Sequence, residues 1–216
     1  SERSTSLENS PWNMLNDALY STAFLEHSYH WTVIGYETDI KNWTKEDLES
    51  YFKTYYAPNN CVVVVSGNVK PDEVKRLAEK YMEPIPASSP PKPVNLVEPP
   101  QTGERRIVVQ KEVPSPYMMI GYHTPDAKHK DFYALDILSS VLSSGNSSRL
   151  HSALVDKKQL ASSIGSDFSE SFDPNLFVLY ALAAKDVVET DLEAAIYEEI
   201  EMIKKDGISE MELQKI

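Results

Sequence analysis

Pro84-Ile85-Pro86-Ala87-Ser88-Ser89-Pro90-Pro91-Lys92-Pro93-Val94-Asn95-Leu96-Val97-Glu98-Pro99-Pro100 divides the chain, because it holds seven of the 14 prolines. Each proline lacks an amide donor, so neither a helix nor a central strand can run through this stretch. It reads as an extended, exposed linker, with the boundary between two structured blocks inside it.

Upstream, Trp12–Phe24 has helical spacing, with Met14, Leu15, Ala18, Leu19 and Ala23 recurring at three and four. A second helix opens at Thr44, a candidate N-cap with Asp47 three residues on, and carries Leu48, Phe52 and Tyr55 on one face. Pro58-Asn59-Asn60 ends it. The β-branched run from Cys61 to Ser66 reads as a strand buried on both faces, with Cys61 as a small buried hydrophobe and Gly67 as its stop. Pro71–Met82 then makes an amphipathic helix through Val74, Leu77, Ala78 and Tyr81.

Downstream, Arg106–Val113 and Tyr117–Tyr122 are strand candidates, followed by a helix over Asp131–Leu142. Ser143-Ser144-Gly145-Asn146 is a turn by composition, and Ser147–Lys157 is a further helix. Leu160–Phe168 and Leu176–Ala184 read as strands separated by Asp173-Pro174-Asn175. Leu192, Ile196, Ile200 and Ile203 mark a long acidic helix stopped at Asp206-Gly207, and Ser209 with Glu212 forms a capping box for one more.

The 216 residues suffice for one large domain or two small ones with real cores. Lys and Arg number 21 against 33 Asp and Glu, a net charge of −12. Nucleic acid and anionic membrane surfaces are disfavoured as partners, because both demand clustered cations. The apolar stretches are too short for a membrane span, and Ser1–Ser10 is too polar for a signal sequence. The compartment leaves no mark in these residues. One cysteine supports neither a disulfide framework nor a thiolate metal site. The residues alone describe an acidic α+β protein in two parts.

Candidate chemistry is sparse. His27 and His30 stand three apart beside Glu26, but no third ligand or helical period accompanies them, which favours loop residues. Ala23-Phe24-Leu25-Glu26-His27 has the form H-x-x-E-H with alanine in the first ligand position, where it cannot hold a metal. Ser143–Ser148 lacks the lysine and spacing of a phosphate loop. No G-x-S-x-G occurs. Glu193, Glu198, Glu199 and Glu201 read as a solvated helix face.

A longer pattern joins these pieces. Glu2-Arg3 with Glu8-Asn9-Ser10-Pro11, Ala23-Phe24 with His27-Ser28-Tyr29, Ile34-Gly35, and Asp39-Ile40 running to Asp47-Leu48 come first. Tyr55-Tyr56-Ala57-Pro58-Asn59-Asn60, Val62–Gly67, Ser147-Ser148-Arg149-Leu150 and Lys158-Gln159-Leu160-Ala161 follow in order. Together they resemble the inverted-zincin metallopeptidases, the family of pitrilysin, insulin-degrading enzyme and mitochondrial processing peptidase, and within it the bacterial members of processing-peptidase size.

The resemblance implies an α+β fold: pieces of two tandem homologous peptidase domains, each a mostly antiparallel sheet covered by helices. Residues 1–98, linker included, would be the later part of a first domain, and residues 99–216 the earlier part of a second, non-zinc domain. It implies a parent that is a zinc metalloendopeptidase acting on peptides or unfolded proteins, with zinc polarising the carbonyl and an upstream Glu activating water. Glu2 matches the family's third zinc ligand. The H-x-x-E-H that supplies the other two ligands and the base is absent from these residues, so no catalytic residue is assigned here, and the fragment is expected to be inactive and not to hold zinc. An Arg and a Tyr that grip substrate in some second domains are replaced by Val155 and Ser162, which implies a second family subunit supplying that pair. The alternative is a non-catalytic structural or substrate-binding subunit. Uncovered strands also predict self-association, most simply as a homodimer.

Overall fold

The computed structural model describes residues 3, 5, 7 and 9–216. Its residues fall into two compact units, one joining the residues up to Val33 to Val97–Ile216, the other spanning Ile34–Leu96. The two sequence blocks therefore do not pack separately, because α1 (Pro11–Ala23) lies on strands from beyond the linker.

The larger unit is built on an antiparallel sheet of β1 (Tyr117–Thr124), β2 (Ala161–Asp167) and β3 (Asn175–Ala183), in the order β1-β3-β2. Tyr117 stands opposite Leu182 and Thr124 opposite Asn175, while Ile164 faces Ala181 across the other ladder. The near-continuous apolar run of β3 follows from its central place. Phe177, Leu179, Ala181 and Ala183 point to one side; Leu176 and Val178 point to the other.

The first side is covered by α5 (Phe132–Ser143), a π-helix (His151–Lys157) and α6 (Glu189–Asp206). Their Leu142, Leu150, Leu154, Leu192 and Ile196 form the main core with the strand residues. On the second side, Leu19, Tyr20, Ala23 and Phe24 close over Leu176, Val178 and Met119. Trp12 meets the Tyr117 and Tyr180 rings edge-on at 4.7 and 5.7 Å. Gly165 lies beneath Tyr180, where a Cβ would collide with the ring. The chain enters α1 through Ser10, whose Oγ accepts the Asn13 N–H at 3.3 Å ahead of Pro11. It ends in α7 (Glu210–Leu213) behind the Ser209–Glu212 capping box, both of whose bonds form.

The smaller unit holds α2 (Glu37–Asn42), α3 (Lys45–Tyr55) and α4 (Pro71–Tyr81). The predicted capping box at Thr44 and Asp47 is complete. Asn59 exchanges two hydrogen bonds with the Ser88 backbone, at 2.9 and 3.1 Å. Ala57 is the buried hydrophobic residue of this unit among the described residues.

Two predicted strands are irregular backbone here. Cys61 to Ser66 pairs with no strand among the described residues, and Val62 and Val64 are 87% and 85% exposed. Cys61 is likewise exposed, contrary to its reading as a buried hydrophobe. β-branched residues favour extended backbone, but burial requires neighbours that this unit does not provide. Arg106–Val113 also forms no ladder. The proline-rich segment contains neither helix nor strand from Pro86 onward, as expected.

Candidate functional site

Glu2, the predicted zinc ligand, lies outside the described residues. Among the described residues, no group of three or more His, Cys, Asp or Glu is placed to hold a metal ion. By themselves they do not make a zinc centre, which needs three protein ligands.

The histidine pair is structural. His27 is buried; its Nδ1 accepts the Tyr29 N–H at 3.2 Å, and its Nε2 lies 3.4 Å from Asp173. His30 Nδ1 sits 2.5 Å from the Phe24 carbonyl oxygen. Ala23 is the last residue of α1, so Glu26 and His27 follow in a loop and share no helical face with it.

That loop contains an arrangement that the sequence did not reveal. The carboxylate of Glu98 accepts three successive backbone N–H groups: Leu25 at 2.8 and 3.0 Å, and Glu26 and His27 at 3.0 Å. Partial burial opposes its charge, but these donors and the Arg105 guanidinium hold the carboxyl below the usual range. Arg105 in turn donates to the Thr22 and Ala23 carbonyls at 3.0 and 2.6 Å, groups left open at the end of α1. No local signal marks this clasp, whose partners stand 73 residues apart.

The acidic helix face needs a correction. Glu198 and Glu201 are exposed, but Glu199 is 6% exposed and lies 3.5 Å from Lys158 Nζ. Glu193 is gripped by Arg106 through two hydrogen bonds, which depresses its carboxyl and raises the guanidinium. Glu212 is held bidentately by Arg149, at 2.6 and 2.8 Å. Arg149 foremost, with the Ser209 hydroxyl and N–H, keeps that carboxyl far below its ordinary range.

Val155 packs against the main core, and Ser162 Oγ donates to the Ala183 carbonyl at 2.8 Å. Neither presents a charge or a phenol to a ligand. Ser143–Ser148 is a helix-to-helix turn with Gly145 at φ 75°. Three hydroxyls missed by sequence reasoning meet here: Ser166 lies 2.7 Å from Ser139 and 2.6 Å from Ser143. Gln159, at φ 53°, turns the chain from the π-helix into β2 within the Lys158-Gln159-Leu160-Ala161 motif. A cavity of about 290 Å³ is lined by Arg149, Lys157, Lys158 and Glu199, and Arg149 and Lys158 are already engaged by carboxylates. A larger cleft of about 570 Å³ runs along β1, floored by Met14, Leu15 and Leu19 of α1.

Among the described residues, no helix is long and apolar enough to cross a membrane.

Comparison with known proteins agrees with this geometry. The zinc protease PqqE of Helicobacter pylori is 39% identical over 219 residues, covering all of this chain and 49% of that protein. The uncharacterized zinc protease YmxG of Bacillus subtilis is 27% identical over 207 residues, covering 96% of this chain and 49% of its own length. The crystal structure of a protease from Helicobacter pylori superposes with a TM-score of 0.92 at 38% identity, covering 99% of this chain and 52% of that one. The chain thus spans about half the length of the curated relatives it matches. Residues 42–216 match the family model described as the peptidase M16 inactive domain. The sheet backed by helices, the ordered motifs and these matches converge: this chain belongs to the peptidase M16 family.

Proposed function

We propose that this chain is the domain-joining part of a zinc metalloendopeptidase that cleaves peptides or unfolded proteins, and that it does not perform the hydrolysis itself. The observation that carries the reading is 39% identity along the whole chain to a named zinc protease, in 216 residues that contain no H-x-x-E-H. Residues to about 98 are assigned to the later part of a first peptidase domain, and residues from 99 to the earlier part of a second. The role that suits the larger unit is scaffolding, with a two-sided core that holds α1 on the sheet; Glu2 is assigned by family resemblance alone, as one ligand of a zinc held mainly by the rest of the parent. A catalytic zinc site needs three protein ligands and an open position, which one carboxylate cannot supply. Val155 and Ser162 stand where a substrate-gripping Arg and Tyr occur in other members, so a second family subunit is assigned that task.

The parent gene tests the reading. An H-x-x-E-H encoded upstream of Ser1 is expected, and its absence would assign the protein to the non-catalytic members. For the 216-residue chain alone, dialysis and metal analysis should leave far less than one zinc per chain, and a fluorogenic peptide should stay intact. Stoichiometric zinc that disappears in Glu2→Gln would overturn the division of labour. In the parent, that same substitution should abolish zinc and activity together.

A further inference from the structure

We propose that residues 105–111 are a strap that zips onto the free edge of β1 as a fourth strand, closing the cleft beside it. β1 pairs with β3 on one side and, among the described residues, with no strand on the other. An edge of unpaired N–H and C=O groups is a template for another extended segment. The segment with matching chemistry is the one that leads into it. Arg106–Val113 is β-branched, runs alongside as unpaired backbone, and joins β1 through a short proline-bounded connection. Between the two lies the 570 Å³ cleft, lined by Ile107, Val109, Met119 and Leu19 among others.

Three contacts fix which way the strap would face. Lys111 Nζ touches Met14 Sδ of α1 at 3.2 Å, and Arg105 holds the carbonyls that end α1. Arg106 reaches the opposite direction, to Glu193 on α6. Odd-numbered residues therefore point to the α1 side and even-numbered ones to the α6 side, the alternation of a strand. Arg105 and Val109 are half-buried, while Arg106, Val108 and Gln110 are exposed together with Ile107 in the middle of the strap. On β1, Met119 packs toward α1, and Met118 and Ile120 toward the main core. Residues opposite each other in an antiparallel pair share a face, so only registers that set odd against odd are compatible.

The turn selects among these. A three-residue loop, Pro114 to Pro116, would need its last residue in the left-handed region, which proline cannot enter. A five-residue loop, Glu112 to Pro116, has no such conflict. It sets Lys111 opposite Tyr117, Val109 opposite Met119, Ile107 opposite Gly121 and Arg105 opposite His123. The outer two pairs agree with their anchors: Tyr117 abuts Trp12 near the start of α1, and His123 abuts Phe24 just past its end. Arg105 and Arg106 hold one end of the strap, and the loop holds the other. Closure needs only a shift of the middle, where Ile107 and Val109 would enter the cleft. Once closed, the strap denies the edge to any other extended chain.

Hydrogen exchange on the intact 216-residue chain, read residue by residue by NMR, tests this. Every second amide from 105 to 111 should exchange about tenfold or more slowly than the linker amides at 94–97. Cross-strand contacts between Val109 and Met119 should accompany this protection. Val109→Pro removes one donor and should speed exchange of the outward amides of β1 without affecting β2. Uniformly fast exchange over 105–111 would overturn the strap. So would protection that grows with protein concentration, because a second copy would then occupy the edge. So would contacts pairing odd residues of the strap with even residues of β1.

Discussion

The two units differ in what their side chains enclose. The larger buries Phe24, Leu150, Leu154, Leu179, Leu192 and Ile196 almost completely, whereas the smaller buries Ala57 and leaves Leu48, Phe52 and the Val62–Val65 run exposed. Both have well-formed helices, and the smaller even has the complete Thr44–Asp47 capping box. Helix signals are local and act within a turn or two; a core is collective and forms only where several apolar faces converge. The smaller unit therefore has secondary structure with little of its own to keep it closed.

Hydrogen exchange should show the widest separation. Amides of α3 and α4 should exchange about a thousandfold faster than those of β3, since local opening there releases almost no buried apolar surface. Comparable protection in the two units would erase the contrast. Substitution should sharpen it. Leu154→Ala opens a cavity in the main core and should cost about 2–5 kcal/mol in urea unfolding followed by circular dichroism. Leu48→Ala in α3 should stay within about 0.5 kcal/mol. Glu98→Gln, which keeps an acceptor oxygen but loses its charge, falls between these two. About 1 kcal/mol is expected for the larger unit at pH 7, since most of the clasp is solvent-accessible. The folded-state carboxyl is depressed, so its contribution is present above the ordinary carboxylate pKa of about 4.3 and fades as pH falls below it. Wild type and Glu98→Gln should therefore converge in stability under acid. A difference that widened there would reverse the assigned sign.

Residues whose structure depends on near neighbours were legible in the sequence. The caps at Thr44 and Ser209, the stop at Gly207 and the continuous apolar run of β3 all declare themselves within a few positions. Family resemblance was legible through the order of weak motifs, none of which is distinctive alone. What stayed hidden involves distant pairing. Cys61 to Val65 and β3 share one local pattern, yet only β3 has strands on both sides and helices over both faces. The Glu98 clasp joins residues 73 apart, and the Ser166 hydroxyl cluster depends on the approach of α5 to β2. Glu199, one of several similar glutamates in the sequence, differs from its neighbours only through burial beside Lys158.

The Glu98 clasp has a further consequence in the language of polymer loops. By tying position 98 back to positions 25–27, it makes everything between them an excursion that leaves and returns at a single point. The entropy of closing such an excursion grows only with the logarithm of its length, about 0.6 kcal/mol for each doubling. Insertions or deletions between Ile34 and Leu96 should therefore weigh lightly on the sheet and its core. The clasp itself, four residues and one carboxylate, is the place where the length of that excursion is insulated from the fold that carries it.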